Sequence, residues 1–240
     1  MRTFRNLLIT GGWAHPFART APRLVEILGA NTSSHITTHT VWDLDDASRA
    51  LAENEYDLIT VFACWFTMQD ARYNDEQRTT WARAIGPRLR AQLLAHRDAQ
   101  RPLFALHTAP ISFDDWPEWG EWMGGSWYWP ASYHPPISEV RLAATDRHCI
   151  IAGVEKFNVV DECYSKLAVS PDVTVLYSGE TDKHETPEPL VWIKQAGGRV
   201  AYDALGHDVE SLNVPAHATM IRRCAAWLLG EPDEVVARIL

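Results

Sequence analysis

The chain has 240 residues, of which 46% are hydrophobic and 22% are charged, and its formal net charge is −9. This composition excludes a largely disordered chain, and the length favours one α/β domain spanning residues 1–240. The acidic balance, without a Lys/Arg cluster, disfavours a nucleic-acid partner, because binding to phosphates needs a basic surface. The N-terminal stretch lacks an apolar segment long enough for a signal peptide or a membrane span, so a cytoplasmic protein without a membrane partner is expected.

The first half of the chain alternates between strand and helix patterns. Strands are predicted at 4–10, 36–42, 56–62 and 103–106, and helices at 20–29, 45–53, 75–85 and 88–96. Thr20 is the expected N-cap of the first helix, and Asn74 with Gln77 has the spacing of a capping box. Such alternation predicts βαβ units and a doubly wound parallel sheet.

The second half carries shorter strand patterns that are separated by loops. These lie at 137–143, 174–178, 190–194 and 199–202, and we expect them to extend the sheet as antiparallel edge strands. A last helix begins at Pro215 and ends at Gly230, since proline suits the first turn of a helix and glycine its end.

Histidines follow several of the predicted strands. His107 comes directly after the apolar run 103–106, and the carboxyl ends of parallel strands are where ligands bind in open α/β sheets. Histidine titrates near neutral pH and is also the commonest metal ligand. Loops at strand ends can converge, so the sequence gives five candidates for one site: His15, His107, His134, His184 and His207.

No HExxH or HxH spacing occurs, so metal ligands would have to come from separate loops. A divalent ion held by His15, His107 and His207 is therefore left as an alternative, and no cofactor is identified. The four cysteines show no CxxC spacing and are expected to be reduced thiols. The chain also lacks a GxSxG nucleophile motif and a GxGxxG dinucleotide fingerprint.

Two adjacent carboxylates, Asp161 and Glu162, form a second cluster. In an extended segment they point in different directions, so one could perform chemistry while the other holds a partner. A carboxylate beside histidine and tryptophan can have its pKa raised into a working range for acid/base catalysis. A solvated acidic turn is the alternative.

Five of the eleven tryptophans lie between residues 116 and 129. Trp119 and Trp122 have helical spacing, which is typical of a helix packed on the sheet. In contrast, Trp127, Tyr128 and Trp129 cannot all face inward in an extended segment, so at least one is expected to be exposed or to line a cavity. Aromatic walls suit a neutral sugar, and an exposed aromatic set is also compatible with a homodimer.

As a set, these motifs resemble the ThuA-like family, named for trehalose utilisation, whose fold is similar to that of class I glutamine amidotransferases. The resemblance implies a flavodoxin-like three-layer αβα sandwich with a mainly parallel central sheet and extra antiparallel edge strands, and a pocket at His107. It also implies a role in sugar catabolism, including that of keto sugars. The matching motifs are GGWAHP at 11–16, LHTA at 106–109, GG at 124–125, HP at 134–135, FNVVDECY at 157–164, PLVW at 189–192, GRVAY at 198–202 and LGH at 205–207.

The chain also departs from these relatives. An amidotransferase needs a cysteine where this chain has His107 and Thr108, so glutamine hydrolysis is not expected. Some members carry a histidine after the third strand, where this chain has Cys64, so a metal site that uses that histidine is not carried over.

The favoured hypothesis is a carbohydrate-processing enzyme acting on trehalose or a keto-sugar derivative by isomerisation, elimination or hydrolysis. His107 and His207 are the expected acid/base groups or ligands, Glu162 a second acid/base group, and Asp161 an orienting partner. Alternatives are a non-catalytic sugar-binding or regulatory module and a metal-dependent hydrolase. The predicted substrate-binding residues are Trp13, His15, Trp65, Trp127, Trp129, His134 and Tyr164.

Overall fold

The computed structural model describes residues 2–195 and 197–240. Its strands are β1 (Arg2–Gly12), β2 (Ser34–Val41), β3 (Leu58–Cys64), β4 (Leu103–Leu106), β5 (Gly125–Ser126), β6 (Ser138–Ala144), β7 (Lys156–Asp161), β8 (Ala168–Val169), β9 (Thr174–Glu180), β10 (Glu188–Lys194) and β11 (Val200–Asp203). Its helices are α1 (Phe17–Gly29), α2 (Leu44–Glu53), α3 (Asp75–Trp81), α4 (Pro87–Asp98), α5 (Pro117–Met123), α6 (Val209–Leu212), α7 (Pro215–Leu228) and α8 (Asp233–Val236).

Nine strands form one mixed sheet in the order β2-β1-β3-β4-β11-β10-β9-β6-β7, and β5 pairs with β8 separately. The first five strands of this order pair in parallel, and the other four extend the sheet by antiparallel pairing. All residues of β3 and β4 are buried, as expected when helices cover both faces of a parallel sheet. The predicted α/β fold with antiparallel edge strands is confirmed.

One strand of the second half was misplaced by the sequence interpretation. The segment 199–202 was expected at an antiparallel edge, but β11 pairs in parallel with β4 in the middle of the sheet, from Val200 beside Leu103 to Asp203 beside Leu106. A local sequence pattern cannot predict this pairing, because the paired strands are about a hundred residues apart in the sequence. The strand β7, which lies at the edge of the sheet, was not predicted at all. Its side chains alternate between buried and exposed toward its end, because successive residues face opposite sides of the sheet.

Two helix boundaries also differ from the prediction. Helix α1 begins at Phe17 rather than at Thr20, since the Thr20 N–H already donates to the Pro16 carbonyl oxygen at 3.1 Å and so closes the first turn. The Phe17 ring packs edge-on against Phe62 with ring centroids 5.4 Å apart. Helix α3 has the predicted capping box but ends at Trp81 rather than near residue 85. There the Arg83 N–H donates to the Phe66 carbonyl oxygen at 2.9 Å, which turns the chain out of the helix.

The direction of the strands determines where the candidate residues meet. Antiparallel pairing alternates through β10, β9, β6 and β7, so β7 runs in the same direction as β11 and the parallel strands. The carboxyl ends of β1, β4, β7 and β11 therefore lie at one edge of the sheet, where ligands bind in open α/β folds. No helix among the described residues is long and apolar enough to cross a membrane.

Candidate active site

Three histidines and one carboxylate meet at this edge of the sheet. Each follows a different strand: His15 follows β1, His107 follows β4, Glu162 follows β7 and His207 follows β11. One imidazole nitrogen from each histidine and one carboxylate oxygen of Glu162 lie within 4.8 Å of one another. The strands that position them are separated widely in sequence but end at the same place.

Glu162 lies at the centre of the cluster. Its Oε2 is 3.5 Å from His107 Nε2 and 3.8 Å from His15 Nε2, and its Oε1 is 3.2 Å from His207 Nδ1. A fifth group, His134 Nδ1, lies 3.6 Å from Oε1, on a ring that is 40% exposed. Within residues 2–195 and 197–240, four buried atoms of the cluster have no hydrogen-bond partner, namely His15 Nε2, His107 Nε2, His207 Nδ1 and Glu162 Oε2.

Backbone carbonyl groups fix the orientation of two of the imidazole rings. His15 Nδ1 is 2.9 Å from the Trp13 carbonyl oxygen, and His107 Nδ1 is 2.8 Å from that of Ala204. A carbonyl oxygen only accepts, so Nδ1 carries the proton in both rings. When the rings are neutral, Nε2 of each ring presents a lone pair to the cluster, as in histidine ligands of metal ions.

The turn after β4 places His107 in an unusual backbone conformation, with φ of 47°. A left-handed backbone is costly for a residue with a side chain, so it persists only where the surroundings hold it. Here the His107 N–H donates to the Asp203 carbonyl oxygen at 2.7 Å, and the Tyr202 hydroxyl donates to the His107 carbonyl oxygen at 2.9 Å. Strand β11 thus directs the imidazole into the cluster.

Gly12 allows the loop that carries His15 to pass close to β3. Its φ is 106°, and a Cβ atom at this position would lie 2.2 Å from the Cys64 carbonyl oxygen. The same carbonyl accepts the Trp13 N–H at 3.0 Å. Only glycine fits both the conformation and the close approach.

Asp161 holds the two loops that carry Glu162 and His207. Its fully buried carboxylate accepts backbone N–H groups from Glu162 at 2.7 Å, from Gly206 at 2.7 Å and from His207 at 3.2 Å. Burial raises the pKa of Asp161, while these donors stabilise its ionised form. The Asp161 carboxylate thus lies behind the cluster and bonds to the backbone of both loops, and its role as an orienting group stays a prediction.

Burial and mutual contacts shift the pKa values within the cluster. Burial lowers the pKa of His107 to about 3, so its ring is neutral. Burial acts to raise the pKa of Glu162, but the surrounding imidazoles of His15 and His207 outweigh it and hold that pKa well below its usual value. Burial acts to lower the pKa of His207, but the contact with Glu162 outweighs it, so that this pKa is raised above its usual value. The centre therefore combines an ionised carboxylate with a neutral imidazole.

Aromatic side chains form the wall of a cavity of about 260 Å³ beside the cluster. Tyr164 stacks on His107 with ring centroids 4.9 Å apart, and Trp127 meets Tyr164 edge-on at 5.4 Å. Trp129 stacks on Phe66, and the Arg72 guanidinium lies over its ring, so its faces are largely occupied. The lining residues are Trp13, Ala14, His15, Cys64, Phe66, Arg72, Tyr73, Ile111, Trp127, Trp129, His134, Glu162 and Tyr164.

Trp65 does not lie where the sequence interpretation put it. Its indole N–H donates to the Thr10 carbonyl oxygen at 3.1 Å, and its ring lines a different cavity, of about 440 Å³, with Arg49 and Arg83. The residue follows β3 directly, but alternate side chains at a strand end point in opposite directions. Cys64, its neighbour, is the one that reaches the aromatic cavity.

His184 lies outside the cluster. Its Nδ1 accepts the Thr181 N–H at 3.1 Å, so the proton is on Nε2, which lies 2.7 Å from Ser165 Oγ. A histidine that donates to a serine does not remove its proton, and the Ser165 hydroxyl donates to the Cys163 carbonyl oxygen at 2.9 Å. This pair holds the loop and does not form a nucleophile with its base.

The sequence interpretation missed part of the cavity wall. Phe66, Arg72 and Tyr73 belong to the loop between β3 and α3, and Ile111 follows the turn after His107. The argument that located His107 applies equally to the exit of β3, which ends at the same edge. The relevant signal was therefore the position of Phe66 and Tyr73 after a fully buried strand.

Known proteins share this architecture at low sequence identity. Solved ThuA-like proteins from Parabacteroides merdae and Bacteroides uniformis are 19% and 15% identical, with TM-scores of 0.74 and 0.67. The matches cover 95% and 94% of this chain and 91% of each of those chains. A glutamine amidotransferase from Thermotoga maritima is 9% identical, with a TM-score of 0.50, 95% of this chain and 99% of that chain being covered. These likenesses show the fold alone.

The sequence comparisons identify the family. No curated protein matches the chain significantly. The profile of the ThuA family, described as trehalose utilisation, matches residues 5–228 and so includes all four residues of the cluster. The chain therefore belongs to the ThuA trehalose utilisation family.

Proposed function

We propose that the chain is a carbohydrate-processing enzyme of sugar catabolism whose reaction takes place at a divalent metal ion held by His15, His107, Glu162 and His207. The observation that carries this proposal is the convergence of four buried donor atoms that have no other partner among the described residues. A buried polar atom without a hydrogen bond costs about 1 to 3 kcal/mol. One cation would satisfy all four.

The chemistry of the donor set fits such an ion. Three imidazole nitrogens and one carboxylate oxygen suit zinc and other first-row divalent metals. Hydrogen bonds from Nδ1 to backbone carbonyls fix the tautomers of His15 and His107, which is how proteins usually orient histidine ligands. A bound ion would polarise a carbonyl oxygen or lower the pKa of a bound water molecule.

The walls beside the cluster support a sugar as the substrate. Trp13, Trp127 and Tyr164 give the cavity apolar aromatic surface, while His134 and Glu162 add groups that hydrogen-bond to hydroxyls. Aromatic surface with a few polar groups is typical of small-molecule pockets. The family name points to sugar metabolism, and the small cavity suits one sugar unit beside the ion.

Acid/base chemistry without a metal is the second candidate. It is favoured by His207, whose pKa is raised and whose Nδ1 lies 3.2 Å from Glu162. On a keto sugar, removal of the proton beside the carbonyl would begin isomerisation, elimination or hydrolysis. Glu162 is less suited to act as the base, because its lowered pKa makes its carboxylate weakly basic.

Elemental analysis of protein purified without added metal tests the proposal, together with an assay on a keto derivative of trehalose in D₂O. We expect about one divalent ion per chain and turnover or deuterium incorporation that a chelator abolishes and added metal restores. Activity without metal, indifferent to chelators, would overturn the metal centre in favour of acid/base chemistry. Sugar binding without turnover or exchange would indicate the non-catalytic module.

A further inference from the structure

A fully buried histidine on α7 lies behind the cluster and was not among the sequence candidates. His217 Nε2 is 2.8 Å from Asp203 Oδ2, and its Nδ1 is 2.9 Å from the Ser211 carbonyl oxygen. Both partners accept, so both ring nitrogens donate. His217 shares a face of α7 with Ile221 and Cys224, at apolar spacing. A histidine on the apolar face of a helix is buried, so its ring nitrogens need hydrogen-bond partners within the protein.

The partner of His217 connects it to the cluster. Asp203 ends strand β11, and its second carboxylate oxygen accepts the Leu205 N–H at 3.0 Å. The backbone carbonyl of Asp203 accepts the His107 N–H at 2.7 Å. The next carbonyl, that of Ala204, accepts His107 Nδ1–H at 2.8 Å. The carbonyl groups of Asp203 and Ala204 thus fix the backbone, tautomer and ring direction of His107. The Asp203 side chain holds this segment in place through its bond to the Leu205 N–H.

We infer that His217 is a positioning residue of the site: through Asp203 it holds the Ala204 carbonyl in place, and this carbonyl keeps the proton of His107 on Nδ1. The inference rests on the proposed function for its consequence, that His107 Nε2 is available to the ion. His217 touches neither the cavity wall nor the four donor atoms. Its effect is therefore on how well the site is arranged and not on the reaction itself.

Three variants separate this role from a general contribution to stability. His217→Phe keeps an aromatic ring in the core but leaves Asp203 Oδ2 without its donor. His217→Gln can still donate an N–H group to Asp203. The matched control is His96→Phe, because His96 is also buried and its Nε2 hydrogen-bonds to a backbone carbonyl, that of Pro102, at 3.0 Å.

Affinity for Co²⁺, followed by its visible absorption, is the first measurement, with thermal unfolding measured on the same samples. Loss of a group that hydrogen-bonds to a metal ligand typically reduces metal affinity about 10- to 100-fold, and His217 acts one step further from the ligand. We therefore expect His217→Phe to lose up to about 10-fold in Co²⁺ affinity and to show an altered Co²⁺ spectrum, and His217→Gln to recover most of the affinity. His96→Phe should lose thermal stability with unchanged Co²⁺ affinity. If wild type binds Co²⁺ and His217→Phe binds it with equal affinity, the inference is overturned.

The tautomer of His107 is a second measurement that does not depend on a metal. Long-range ¹H–¹⁵N correlation spectra of metal-free protein distinguish Nδ1–H from Nε2–H, and a His107→Gln variant assigns the signals. We expect a single Nδ1–H tautomer in wild type and a mixture in His217→Phe. If wild type binds no Co²⁺, the proposed function fails while this measurement still decides the positioning role. An unchanged His107 tautomer in His217→Phe would refute that role.

Discussion

Nε2 of His107 lies 3.5 Å from Oε2 of Glu162, and neither atom has a hydrogen-bond partner in the part of the chain that the structure describes. The two residues come from β4 and β7, which lie far apart in the sheet order, so their approach depends on the loops that follow both strands. An unpaired lone pair facing an unpaired carboxylate oxygen is the arrangement that a shared cation would explain.

Replacing either residue should therefore weaken metal binding strongly. We expect His107→Ala and Glu162→Gln to lower the affinity for Zn²⁺ more than the loss of a hydrogen-bond partner of a ligand does, which is about 10- to 100-fold. The first variant removes a ligand nitrogen, and the second removes the negative charge of the ligand group. Competition with a chromophoric chelator measures this. His184→Ala is the control, since His184 lies outside the cluster. Unchanged Zn²⁺ binding in both cluster variants would rule out the proposed ligands.

Asp161→Asn should weaken the site without touching the ion. The side chain of asparagine has the same size, but its NH₂ group replaces one of the two carboxylate oxygens. At least one hydrogen bond from the backbone of Glu162, Gly206 or His207 is then lost, because an N–H group faces another N–H group. We expect the free energy of unfolding to fall by about 1 to 3 kcal/mol in urea titrations. Metal affinity should fall about 10- to 100-fold. A loss of stability with normal metal affinity would show that Asp161 serves the fold alone.

The positions of His107 and His15 could be anticipated because each follows a strand of the predicted parallel sheet. The apolar run of β4 ends at Leu106, and β1 ends at Gly12, so the rule for carboxyl ends of parallel strands applies directly to His107 and His15. His207 also follows a strand, but 199–202 was expected to be antiparallel, so the same rule did not place His207 at this edge. The parallel pairing of β11 with β4 does so, and it joins segments that are far apart in the sequence.

The distances within the cluster could not be anticipated. Glu162 reaches it because four successive antiparallel pairings bring β7 back to the direction of the parallel strands, and each pairing joins distant segments. The sequence also did not predict which residue at the end of a strand faces the cavity. At the end of β3 it is Cys64, whereas Trp65 lines a different cavity. Local periodicity predicts elements, whereas register and facing depend on long-range packing.

Trp127 and Trp65 provide a matched test of the sugar cavity. Trp127 lines the aromatic cavity, while Trp65 lines the separate one. A pair of aromatic side chains contributes about 0.5 to 1.5 kcal/mol beyond area burial. With this as the scale for an indole on a sugar ring, Trp127→Leu should weaken trehalose binding about 2- to 10-fold. Trp65→Leu should leave it unchanged. NMR titration with trehalose measures both, and thermal unfolding checks that both variants fold. Equal weakening in the two variants would count against this cavity as the sugar site.

Acid should destabilise the protein partly through His96. Burial lowers the pKa of His96 from its ordinary value of 6.5 to about 4, so the folded protein keeps this ring neutral over a range in which the unfolded chain binds a proton. The unfolding free energy must then fall as the pH falls from about 6.5 toward 4. His96→Gln cannot take up this proton. Between pH 7 and pH 4.5 we expect wild type to lose about 2 kcal/mol more than His96→Gln, because one pKa unit corresponds to about 1.4 kcal/mol.

Urea unfolding at the two pH values measures this difference. The protein is first treated with a chelator, so that release of a bound metal ion at low pH does not contribute. The comparison uses the change with pH in each protein, so the loss of the hydrogen bond to Pro102 in the variant cancels. Other buried groups, such as His107, titrate in both proteins and cancel as well. Equal losses in wild type and His96→Gln would mean that the folded protein accepts a proton on His96, and that the space between α4 and the loop before β4 admits a charged ring.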